Sequence, residues 1–171
     1  YHFGGLRAVV PAAMVDSLTL LPAGYGASYG RGLGGVLLLS SSATPAGLHG
    51  ELSADLLDAG VMLSTSLGEH VRLRAAGRWG YIERTLPAFS AQLGSDFFPL
   101  PQYWDAQGQA VFNLSRREGV RSELAVRFVG AGDSQTRAQR TSDAPSAQTE
   151  TTSRSFYRIG LEYVRQEGDT V

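Results

Sequence analysis

Val71-Arg72-Leu73-Arg74-Ala75-Ala76-Gly77-Arg78-Trp79-Gly80-Tyr81 is the stretch that decides the fold. Val71, Leu73, Ala75, Gly77, Trp79 and Tyr81 share one parity. Arg72, Arg74, Ala76, Arg78 and Gly80 share the other. Successive side chains of a strand point to opposite faces, so the alternation predicts a strand over 70–82 with one apolar and one polar face.

The same period of two recurs on both sides. Leu48, Gly50, Leu52, Ala54 and Leu56 oppose His49, Glu51, Ser53 and Asp55, which predicts a strand over 48–57. After a turn at Asp58-Ala59-Gly60, Val61, Leu63, Thr65 and Leu67 alternate with Met62, Ser64 and Ser66, a strand over 60–67. Gly68-Glu69-His70 reads as a tight turn. Further on, Trp104, Ala106, Gly108, Ala110, Phe112 and Leu114 oppose Asp105, Gln107, Gln109 and Asn113, a strand over 103–114. Leu124, Val126 and Phe128 against Arg121, Glu123 and Arg127 predict a strand over 120–130. Tyr157, Ile159, Leu161 and Tyr163 against Arg158, Glu162 and Gln166 predict one over 155–166. Residues 83–102, with Pro87, Gly94, Pro99 and Pro101, read as a long loop, and the Ser/Thr/Gln/Ala-rich 131–154 as a second.

The predicted fold class is mainly β: an antiparallel up-and-down meander of about six strands. Six strands do not close a wide barrel, so a curved open sheet is expected. Its connections alternate: short at 68–70, long at 83–102, short at 115–119, long at 131–154. Outer-membrane barrels pair short periplasmic turns with long extracellular loops in this way. A soluble barrel or sandwich has the same period of two. Two features favour a transmembrane barrel, present here incompletely. The long-loop ends of the strands carry Trp79, Tyr81, Tyr103, Trp104, Phe128 and Tyr157, where an aromatic girdle belongs. Phe112 and Tyr163 lie at the short-turn ends. The polar faces mix Arg with Glu, Asp and Gln, as suits a wet lumen.

Upstream lies a different unit. Asp16–Leu21 reads as a strand, Gly24–Gly35 as a compact glycine-rich turn, and Val36–Leu39 as a second, buried strand. Pro11 is placed to open a brief helical turn through Met14. Thr44-Pro45-Ala46-Gly47 is a linker, so a small α+β remnant over 1–46 precedes the sheet domain over 47–171. Gly30-Arg31-Gly32-Leu33-Gly34-Gly35 matches a dinucleotide-binding G-x-G-x-x-G. That motif needs a helix after it. Here a β-favouring run follows and no Gly-Lys-Ser/Thr closes the loop, so a nucleotide site is not supported.

Composition narrows the chemistry. The 171 residues contain no Cys, which excludes disulfides and thiolate metal sites. Fifteen basic residues, all Arg, against 16 acidic ones leave no nucleic-acid footprint. No run of about 18 apolar residues and no signal peptide is visible. The chain starts without Met and inside apparent structure, and is expected to be an internal fragment of a longer protein. His2, His49 and His70 lie in different elements without metal-ligand spacing and read as surface or lumen polar groups. Glu51, Asp55 and Asp58 are explained by a lumen-facing strand, and Asn113-Leu114-Ser115 matches a glycosylation pattern by chance. No catalytic constellation emerges, so an enzyme is not expected and no cofactor is implied.

One family resemblance accounts for both units. Val15-Asp-Ser-Leu-Thr-Leu-Leu-Pro-Ala-Gly24, Ala27-Ser-Tyr29-Gly30 and Gly34-Gly35-Val-Leu-Leu-Leu39 resemble the end of a TonB-dependent receptor plug. Gly4-Gly5-Leu-Arg-Ala-Val-Val-Pro11 resembles an earlier part of such plugs. Asp58-Ala59, Leu67-Gly68, Arg78-Trp79-Gly80-Tyr81-Ile82 and Pro101-Gln-Tyr-Trp-Asp105 resemble the first barrel strands of that family. The resemblance implies a fragment of a plugged barrel of 22 strands in a Gram-negative outer membrane. The TonB box, the start of the plug and most of the barrel are missing from it. Implied partners are outer-membrane lipid, the TonB system through a missing N-terminal segment, and an unidentified siderophore, cobalamin or glycan. Arg7, Tyr25, Tyr29 and Arg31 on the plug, with Arg72, Arg74, Arg78, Asp105 and Gln107 on the strands, are the candidate ligand or plug–barrel contacts. The hydrated lumen wall is the simpler account of the arginine stripe. An outer-membrane enzyme on a smaller barrel and a soluble β-rich binding or adhesion module remain as alternatives.

Overall fold

The computed structural model describes residues 2, 7–30, 34–41, 44, 46–89, 101–115, 119–139 and 148–167. The chain forms a two-stranded hairpin, β1 (Ser17–Leu21) with β2 (Val36–Ser40), and a separate six-stranded sheet. The sheet runs β3 (Leu48–Ala54), β4 (Asp58–Leu67), β5 (Val71–Gly80), β6 (Pro101–Asn113), β7 (Val120–Gln139) and β8 (Gln148–Glu167). Strand order follows chain order and every pairing is antiparallel, so the sheet is an open up-and-down meander.

The alternating stretches become the strands, but the turn expected at Asp58-Ala59-Gly60 lies at residues 55–57, and Asp58, Ala59 and Gly60 open β4, paired with Gly80, Trp79 and Arg78. The tight turn after β4 holds Gly68 at φ 63°, a left-handed conformation that side chains disfavour. In the N-terminal unit, a 3-10 turn at Ala12–Met14 follows Pro11, and another at Ala27–Tyr29 lies within the glycine-rich connection of the hairpin.

The two predicted long loops are corrected. The first begins as a helix, α1 (Ile82–Phe89), with Ile82 buried and Thr85 Oγ1 donating to the Leu56 carbonyl at 2.5 Å. Pro87 suggests a loop, yet the helix starts before it and ends two residues after it. Residues 90–100 of that predicted loop lie outside the described residues. The second is mostly strand. β7 continues to Gln139 and β8 begins at Gln148, in register from Ala131↔Phe156 to Gln139↔Gln148. A strand paired on backbone hydrogen bonds needs no apolar face where both its faces are solvated, and here the ladder continues on those bonds. The Thr136 and Thr151 hydroxyls also pair across it at 3.2 Å. Only 140–147 of the predicted loop separates the two strands, and it lies outside the described residues.

Burial is inverted relative to a water-soluble β-domain. The buried groups include Asp58, Ser64, Arg74, Asp105, Gln107, Gln109 and Ser122, whereas Leu48, Leu52, Leu63, Ile159 and Leu161 are exposed. Soluble proteins bury the second set and expose the first.

Candidate functional site

The ladder register assigns every side chain to a face. Five outward rows cross the sheet. The first is Leu67, Val71, Phe112, Leu124 and Tyr163, and the second Leu48, Thr65, Leu73, Ala110, Val126 and Leu161. The third is Gly50, Leu63, Ala75, Gly108, Phe128 and Ile159, and the fourth Leu52, Val61, Gly77, Ala106, Gly130 and Tyr157. The fifth is Ala54, Ala59, Trp79, Trp104, Gly132 and Ser155. None of these residues is charged. Four intervals of two residues span about 27 Å along a strand, or roughly 21 Å of height at a 40° tilt, near the ~25 Å apolar band of an outer-membrane barrel.

Aromatics mark the ends of this band. Trp79, Trp104 and Tyr157 lie at the long-loop end, and Trp104 and Tyr157 meet with ring centroids 5.9 Å apart. Phe128 belongs to the middle row, but its ring reaches over Gly130 to Tyr157, centroids 6.4 Å apart. Tyr81, just beyond β5, turns its hydroxyl back to the carbonyls of Asp55 and Asp58. Tyr103 departs from the girdle expectation. It shares the parity of Asp105 and Gln107, faces inward and is buried. Its ring lies across Gly80, where there is no side chain to displace it.

The inward face is where chemistry concentrates, and residue 2 and residues 7–16 of the chain lie on it. Arg74 projects from mid-β5, donating through one terminal nitrogen to both Asp16 carboxylate oxygens and Ser41 Oγ at 3.2 Å, and through the other to the Ala13 carbonyl at 2.8 Å. Two pleat repeats further, Arg78 donates to Asp105 Oδ2 at 2.9 and 2.6 Å and also to the Ala8 carbonyl. Gln107 Nε2 donates to the Val9 carbonyl at 2.6 Å and to Asp105 Oδ1 at 3.1 Å. Ser41 Oγ reaches Gln109 Oε1 at 3.1 Å. Arg7 returns the contact from the segment, with Nε donating to Asp58 Oδ2 at 2.8 Å and a terminal nitrogen to Asp55. Tyr103 donates its hydroxyl to the same Asp58 oxygen. His2 completes the seam: its ring stacks on Tyr103 at 4.5 Å, with Nδ1 2.8 Å from Asp133 Oδ1 and Nε2 3.1 Å from Asp105 Oδ2.

Of the candidate contacts, Arg7, Arg74, Arg78, Asp105 and Gln107 are thus brought together along one seam. Arg72 is not part of it and pairs with Glu123 at 3.0 Å. Tyr25 and Tyr29 pack edge to face on each other, centroids 6.5 Å apart, within the hairpin connection. Arg31 lies outside the described residues. Asp16, Ser41, Asp58, Tyr103, Asp133 and His2 were not predicted at the seam. The parity of Tyr103 with Asp105 was a usable signal; His2 and Asp133, 131 positions apart, offered none.

A cleft of about 220 Å³ opens beside the seam, between Pro11–Ala13 and the strand residues Glu51, Ser53 and Met62. Small-molecule sites usually exceed about 300 Å³, so the seam reads as chain-on-chain docking rather than a ligand pocket.

Electrostatics at the Arg7 end carry a testable consequence. Partial burial disfavours both charges, but partners outweigh it. Asp55 is held below its usual value by the backbone N–H groups of Leu57 and Asp58 and by Arg7, and Arg7 is raised by Asp55 and Asp58. A depressed carboxylate stabilises the docked state above its unfolded value, about 3.9, and that contribution is lost as pH falls through the docked value. Deuterium uptake by residues 7–16 should therefore rise on acidification below about pH 4, and Asp55→Asn should flatten that acid limb.

Glycine 80 gives a second expected result. A Cβ there would overlap the Tyr103 ring, so Gly80→Val should displace Tyr103 from His2 and Asp58. Overpacking of this kind costs about 1–3 kcal/mol, readable as a lower unfolding midpoint in denaturant.

No protein-family model, no curated protein and no solved structure matches this chain.

Proposed function

We propose that the chain is the end of the plug and the first barrel strands of a TonB-dependent outer-membrane receptor. Its parent would import a scarce nutrient of the siderophore, cobalamin or glycan class. The observation that carries this reading is the inversion of the sheet. A five-row outward face bears no charge and ends in Trp and Tyr, while the opposite face is polar and is covered by the chain's own N-terminal segment. Hydrocarbon cannot solvate Arg72, Arg74 or Arg78, so lipid must lie on the other side. Among the described residues no helix is long and apolar enough to cross a membrane, so the strands are the crossing elements of this proposal.

The same inversion suits the transport cycle. A plug held by hydrogen bonds and ion pairs on a hydrated wall separates by exchanging protein partners for water, with little apolar surface to expose. The seam is therefore suited to release under force.

The test is made on the full-length protein in a Gram-negative host. It should fractionate with the outer membrane, and a strain lacking the TonB energy-transducing system should lose uptake supported by the intact receptor. A water-soluble full-length protein, or uptake indifferent to TonB, contradicts the proposal.

A further inference from the structure

His2 has a carboxylate against each ring nitrogen: Asp105 Oδ2 at 3.1 Å and Asp133 Oδ1 at 2.8 Å. A neutral imidazole has one N–H and one bare lone pair, so it satisfies only one such neighbour. The second contact needs a further proton, on the ring or on a carboxylate. Asp105 is an unsuitable carrier. Its buried carboxylate already accepts two hydrogen bonds from Arg78 and one from Gln107, an environment made for the anion. Nε2 must therefore be N–H, and a second proton lies between Nδ1 and Asp133.

We propose that the docked N-terminal segment is a proton-linked latch, with His2 seated as imidazolium between Asp105 and Asp133. The two carboxylates favour that charge, while the cations beside them, Arg78 and Arg154, act against it. Arg78 from β5 shares Asp105, and Tyr103 from β6 stacks on the ring. Arg154 from β8 stands opposite Asp133 in the ladder. Within the segment, the Arg7 carbonyl accepts the His2 backbone N–H at 3.1 Å, and the Arg7 side chain is held on Asp58. Two carboxylates against one ring repel a bare lone pair, so loss of the proton opposes docking. The geometry places one more proton on the docked state than on the released segment, so docking weakens as pH rises. The latch rests on how His2 and residues 7–16 sit on the sheet, and is independent of what the parent transports.

Deuterium uptake by residues 7–16 in the purified full-length protein tests it. Uptake is measured at pH 5.5, 7.0 and 8.5 and corrected for the chemical exchange rate. The wild-type opening constant should rise with pH, by up to about tenfold per unit for one linked proton. His2→Gln should lose the slope over this range. Asp133→Asn offers Nδ1 an amide donor and lets a neutral imidazole bind, so protection at pH 8.5 should match or exceed wild type and the slope should vanish. A flat wild-type profile, or a slope that survives both substitutions, overturns the proposal. Neither outcome depends on TonB or on membrane fractionation, so this test fails separately from that of the proposed function.

Discussion

Leu73→Arg is expected to block stable membrane insertion of the full-length protein, whereas Arg127→Leu, on the opposite face, should be nearly silent. Leu73 belongs to the second outward row, flanked by Thr65 and Ala110. A cation near the bilayer midplane of a barrel costs about 2–4 kcal/mol, which is a factor of roughly 30 to 900 in the folding equilibrium. Arg127 pairs with Glu162, and both side chains are about half exposed. Pairs of that kind contribute about 0–1 kcal/mol. The fraction folded into lipid vesicles, read by the mobility shift of the unheated protein on a gel, checks both. The asymmetry follows from register: a one-residue slip of β5 would turn Arg72, Arg74 and Arg78 outward together, so the polar stripe specifies the pairing inside a membrane.

Asp105→Leu should be the most damaging substitution on the inward face. It leaves Arg78 and His2 facing apolar surface without their shared carboxylate, and Gln107 loses an acceptor. Removing one partner of a buried pair costs about 3–5 kcal/mol, chiefly because the remaining charge stays buried. Adding Arg78→Leu should recover a substantial part of that loss. Denaturant unfolding of the single and double variants reads the difference. Equal destabilisation in both would show that Arg78 finds water or another acceptor once Asp105 is gone.

Much of the sheet was legible because its faces differ so strongly in polarity. In β5, Arg72, Arg74 and Arg78 against Val71, Leu73 and Trp79 fix both strand and register with no knowledge of the neighbours. The hairpin was legible from two apolar runs around a glycine-rich connection. Legibility ended where that contrast ended. Beyond Gly130 in β7 and before Ser155 in β8, both faces are polar, and a paired strand in water has the composition of a loop. Helix α1 was hidden by Pro87, although the helix is already under way before the proline. The seam was half legible. Arg74, Arg78, Asp105 and Gln107 declared themselves as charged or amide groups on one strand face. Their partners are largely backbone carbonyls of residues 8, 9 and 13, which no side-chain pattern encodes. Tyr103 was assigned to the girdle by its position near a strand end, when its parity places it on the inner face.

Depth-dependent quenching by brominated lipids tests the central claim, that the uncharged face meets hydrocarbon. Single cysteines at Leu161 and Glu162, adjacent on β8 and opposite in face, carry the same environment-sensitive fluorophore in the full-length protein reconstituted into bilayers. Acyl-chain bromines should quench the label at 161 strongly and leave that at 162 nearly unchanged. Little quenching at 161, or equal quenching at both positions, would contradict it.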